Sequence, residues 1–78
     1  MRAEDTYNHP SVITTWLTDM IERSPAPKKL KTAILNVGIR EIRAGGRRGN
    51  VSEKLVEFLT NKGYDRYKIH NMLDDLHL

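Results

Sequence analysis

Apolar residues recur along this chain at the three-to-four-residue interval of an α-helix, in four blocks separated by proline and glycine. In the first block Val12, Ile13, Trp16, Leu17, Met20 and Ile21 share one side, and Thr14, Thr15, Thr18, Asp19, Glu22 and Arg23 fill the other. Pro10 suits a first helical turn, with Asn8 or His9 as cap. Three threonines are poor helix formers, so burial of the Trp16 stripe has to offset their cost. Pro25 and Pro27 end the block, because each lacks an amide hydrogen and biases its predecessor away from helical dihedrals.

The second block predicts a helix over residues 28–44. Leu30, Ala33, Ile34 and Val37 lie on one side and Leu35, Ile39 and Ile42 on another, so apolar groups cover more than half of the circumference. Such a helix is either central, packed by neighbours on two sides, or buried against a second copy of the chain. Gly38 falls between the two stripes, where the missing side chain lets another backbone come close.

After Gly45, Gly46 and Gly49 a third helix starts, with Asn50 and Ser52 as alternative caps; Asn50 and Glu53 have the spacing of a capping box. It buries Val51, Leu55, Phe58 and Leu59 and closes at Gly63. Asp65 caps a fourth helix carrying Ile69, Met72, Leu73 and Leu76. The fold expected is all-α: a small bundle of about four helices, the last two forming a helix-turn-helix-like hairpin. Residues 1–8 are polar and unpatterned and read as a flexible tail, leaving residues 9–78 as one helical domain.

A chain of 78 residues has room for one core. No cysteine is present, so no disulfide or thiolate site supports that core, and no apolar run is long enough to span a bilayer. A cytoplasmic protein without membrane contact is expected. The net charge of +3 is unevenly spread: residues 26–50 carry seven bases against Glu41 alone. The segment IREIRAGGRRGN, Ile39 to Asn50, holds four of them.

That cluster defines the main candidate site. Lys29, Thr32, Asn36, Arg40 and Arg43 are spaced so that all five project within an arc of about 80° on an ideal helix. Arg47 and Arg48 follow on what reads as a glycine-rich loop, where guanidinium groups can hold a phosphate bidentately. Ordinary solvation also requires a polar helix face, and cations in a last turn favour the helix dipole. A ridge whose charges are all basic, with no acid on it, is nevertheless unusual for a plain solvent face.

Leu55 to Leu76 contributes a second set. Gly63 lies between two amphipathic segments, with Leu59 four residues before it and Ile69 and Met72 six and nine after it. This spacing resembles DNA-binding helix-turn-helix units over about 22 residues. It departs from their pattern at Leu59, where a small residue is usual, and at Lys62, where an apolar one is. The resemblance implies that Arg66, Tyr67, Lys68, His70 and Asn71 open a recognition helix, with Asp74 and Asp75 set against phosphate.

His70, Asp74 and His77 have a possible metal-ligand spacing but no fourth ligand, and they read as exposed polar residues; no metal or cofactor is expected. No thiol, nucleotide-binding loop or isolated carboxylate pair points to catalysis. Trp16 and Phe58 read as core; Tyr64 and Tyr67 are candidate interface anchors. The leading function is non-enzymatic binding of DNA or RNA through Lys29, Asn36, Arg40, Arg43, Arg47 and Arg48, with sequence preference from Arg66, Lys68 or Asn71. The rival is an adaptor or inhibitor of the kind mobile elements encode, meeting an acidic or apolar protein surface or forming a homodimer.

Overall fold

The computed structural model describes residues 9–74. The expected tail over residues 1–8 lies outside them, as do Asn8, Asp75, Leu76, His77 and Leu78. Among the described residues four helices follow one another: α1, Pro10–Arg23; α2, Lys28–Arg43; α3, Arg48–Asn61; and α4, Arg66–Met72. Among the described residues there is no strand, and no helix is long and apolar enough to cross a membrane.

Each junction has a local chemical cause. His9 caps α1, its Nδ1 accepting from the Ser11 amide at 3.2 Å, and Pro10 takes the first helical position. The threonine hydroxyls that lower helix propensity are satisfied within the helix: Thr14 donates to the Pro10 carbonyl at 2.7 Å and Thr15 to that of Ser11 at 2.9 Å. At the α1–α2 corner buried Ser24 donates its amide to the Ile21 carbonyl, and its Oγ accepts from the Ala26 amide at 3.1 Å. Lys31 reaches back across this corner, its Nζ donating to the Glu22 carbonyl at 3.0 Å. It thereby satisfies one of the carbonyls that the end of α1 leaves without a helical partner.

The ends of α2 and α3 share one device. Gly45 (φ +91°) and Gly63 (φ +94°) occupy the left-handed region that side chains disfavour. Around Gly45, Gly46 N–H donates to Glu41 O and Gly45 N–H to Ile42 O; around Gly63, Tyr64 N–H donates to Leu59 O and Gly63 N–H to Thr60 O. Both are Schellman closures, which turn the chain while using up terminal carbonyls.

α2 is the central helix, with α1 and α3 packed on it, and α4 leans on α3. Its broad apolar circumference is thus met by two neighbours of the same chain. Ile13, Leu17, Met20 and Ile21 of α1, Ile34 and Ile42 of α2, and Val51, Leu55 and Leu59 of α3 form the core, completed by Ile69, Met72 and Leu73. Several sequence expectations are corrected. Trp16 and Phe58 are half-buried at the edge of the core, and Val12 is exposed. Gly38 accommodates the Leu17 side chain, not a backbone. α3 begins at Arg48, two residues before the earlier of its expected caps, because Asn50 Oδ1 accepts from the Arg47 amide at 3.1 Å and so acts from inside the first turn.

Candidate nucleic-acid interface

The five ridge positions of α2 all stay on the surface. Lys29, Thr32, Asn36, Arg40 and Arg43 are exposed, on the side of the helix opposite buried Ile34, Gly38 and Ile42. The polar edge of this surface is therefore set by helical periodicity alone. Thr32 donates its hydroxyl to the Lys28 carbonyl at 3.2 Å. Asn36, Ile39, Arg40 and Arg43 converge around an open cleft of about 370 Å³.

No carboxylate of the described residues pairs with Lys29, Arg40, Arg43 or Arg47. Ion pairs among the described residues lie elsewhere, Arg23 with Asp19 at 3.4 Å on α1 and Lys54 with Glu57 at 3.9 Å on α3. Glu41 is the acid closest in sequence to the ridge. About 100° of rotation per residue carries it to the half-buried side of α2, where its side chain lies against Gly46. Among the described residues no acid is therefore paired with the outward cations, the condition under which they attract an anion most strongly.

Of the two arginines expected on the glycine-rich loop, Arg47 stays on the connection between α2 and α3 and Arg48 belongs to α3. Arg47 is the extended N-cap residue of α3, four residues past the last residue of α2, and its side chain is exposed. Arg48 is the first residue of α3 and half-buried, its guanidinium 4.6 Å from the centroid of the Trp16 ring. This contact fastens the start of α3 to α1. It also forms part of a second open cleft, of about 490 Å³, lined by Ser11, Val12, Thr15, Trp16, Asp19 and Arg48. No short-range sequence signal links Trp16 to Arg48, since the pair is made only when α1 and α3 both pack on α2.

Arg66, Lys68 and Asn71 are exposed on α4. α3 intervenes between them and Arg47, and its 14 residues span roughly 20 Å. Arg66, Lys68 and Asn71 therefore form a group at the far end of α3 from Arg47, the ridge runs the length of α2, and Arg48 is diverted into packing. In the hairpin, Gly63 makes the turn, Asp65 caps α4 by accepting from the Lys68 amide at 2.8 Å, and Leu59, Ile69 and Met72 are buried. α4 is only seven residues long and ends at Met72. Asp74 therefore lies beyond the helical face that its spacing from His70 would have them share, and His77 is outside the described residues. No group of three potential metal ligands occurs among the described residues. Tyr67 is 75% exposed, whereas Tyr64 packs at the edge of the core.

Comparison with known proteins finds no matching family model, no similar curated protein and no similar solved structure.

Proposed function

We propose that this protein is a small, non-enzymatic, cytoplasmic module that binds DNA or RNA through the outer face of α2. The observation that carries this reading is the ridge of Lys29, Asn36, Arg40 and Arg43, exposed, one-signed and free of carboxylate partners among the described residues. Arg47 extends it at the start of α3. Polyanionic backbones are the partners for which such a strip is best suited, because each neutralised phosphate releases condensed counterions. The ridge offers cations, an amide and a hydroxyl but neither an activated nucleophile nor a general base, which supports binding rather than catalysis. Arg66, Lys68 and Asn71 supply a secondary contact at the far end of α3.

The rival adaptor reading keeps the same ridge, as the docking surface of an acidic protein, and the apolar side chains of α2 that α1 and α3 leave partly exposed, Leu35 and Ile39 among them. Titration of duplex DNA and of RNA with the full chain decides the matter. Binding at about 50 mM salt should weaken on salt addition with a logarithmic slope near −0.9 per phosphate contacted on B-form DNA. R40E/R43E should abolish it with helicity intact. Absence of any nucleic-acid binding at that salt, with a specific protein retained from a nuclease-treated lysate, would overturn the proposal in favour of the adaptor.

A further inference from the structure

Charge along the ridge is not uniform. Its cations stand at the two ends, Lys29 on one side and Arg40 with Arg43 on the other, and the positions between them, Thr32 and Asn36, are neutral hydrogen-bonding residues. Asn36 is seven residues from both Lys29 and Arg43, and it also lies near the middle of the arc. At 1.5 Å per residue, Lys29 is roughly 16 Å from Arg40 and roughly 21 Å from Arg43 along the axis. A face that follows a single phosphate strand would be charged throughout. A face with cations at its ends and neutral groups at its centre matches a groove, with a phosphate strand at each rim and base edges between.

From this arrangement we infer that α2 lies across the major groove of B-form duplex DNA and reads an A·T pair at its centre. The inference rests on the nucleic-acid reading above and narrows it. The B-form major groove is roughly 12 Å wide and admits one helix; the end cations are set farther apart than that width, so that with α2 in the groove they fall at or beyond its two rims, where the phosphates lie. Adenine presents an acceptor and a donor there, N7 and the N6 amino group, which the Asn36 amide can meet bidentately; guanine presents two acceptors and fits it less well. Ile39 shares the cleft with Asn36, Arg40 and Arg43 and offers an apolar surface beside it. The C5 methyl of the paired thymine is the group that would fill that position. A-form RNA closes its major groove to such a helix. Unpaired strands require stacking platforms, and the ridge of α2 carries no aromatic side chain.

The test is selection from a random duplex library by the full chain, followed by titration of the selected site. An adenine-containing core should emerge. Replacing its adenine by 7-deazaadenine, which removes N7 and keeps pairing, should weaken binding roughly 2- to 12-fold, the loss of one of the two hydrogen bonds. Asn36 is exposed and alanine is the better helix former, so N36A should fold, lose the preference, ignore the 7-deaza substitution and keep the salt slope. Selection of no base preference, a preference unchanged in N36A, or duplex RNA bound as tightly as duplex DNA overturns the inference. Those outcomes leave the broader nucleic-acid reading intact so long as R40E/R43E still abolishes binding; a chain that binds no nucleic acid ends both.

Discussion

Gly38 lies on the buried side of α2, and a Cβ built there would collide with the Leu17 side chain arriving from α1, whose Cγ and Cδ1 would lie 3.3 Å away. Leu17 is fully buried, so its movement is resisted by the rest of the core. In Gly38→Ala a helix-propensity gain of about 1 kcal/mol therefore opposes an overpacking cost of about 1–3 kcal/mol, and net destabilisation is expected. Leu17→Val removes the δ carbons that stand in the way. Thermal melts of the double-mutant cycle should show that Gly38→Ala is less harmful when combined with Leu17→Val, by on the order of 1 kcal/mol; additive effects would show that the contact does not limit packing. Arg48 is read from the sequence as a free cation but is used in the fold to cover Trp16. Arg48→Ala should cost about 0.5–1 kcal/mol and shift the emission of Trp16, the single tryptophan, while lowering nucleic-acid affinity less than Arg43→Ala does. The sequence identified both residues as special and mistook their partners, because each partner comes from another helix.

At the scale of elements, local chemistry was the readable part. Pro10, the Pro25–Pro27 corner, Gly63 and the Asp65 cap all act within a few residues of themselves, and each occupies its expected place. The start of α3 was misplaced because asparagine is compatible with two roles three residues apart. As a cap it would accept from amides ahead of it; here Asn50 accepts from the Arg47 amide behind it, and the helix takes in Gly49. α4 depends most on its terminus, since seven residues are too few for a helix to persist without support. Asp65→Ala removes the acceptor of the Lys68 amide and should cost about 1 kcal/mol. For a domain of this size that corresponds to a fall in Tm of roughly 4–8 °C. A circular-dichroism melt that matches the parent would mean that burial of Ile69 and Met72 holds α4 in place without its cap.

Taken whole, the molecule sorts the basic charge that the sequence only concentrates. Of the seven bases between residues 26 and 50, Lys31 is turned onto the Glu22 carbonyl at the end of α1 and Arg48 onto Trp16, while Lys29, Arg40 and Arg43 share the outer face of α2. Helical periodicity made the last group legible in advance and already set Lys31 off it; the diversion of Arg48 required knowledge of which helices meet. Net charge and charge placement therefore make different predictions. Lys29→Ala and Lys31→Ala each lower the net charge from +3 by one unit, so a response governed by overall charge would be the same for both. If binding is by phosphate contacts from the α2 ridge, Lys29→Ala should flatten the salt slope by about 0.9 and Lys31→Ala should leave it unchanged. Lys31→Ala should instead show its effect in a lower thermal midpoint, through the hydrogen bond it loses at the α1–α2 corner. Equal slopes for the two variants in a salt titration of duplex binding would assign the attraction to the bulk charge of the molecule and remove the ridge as its cause.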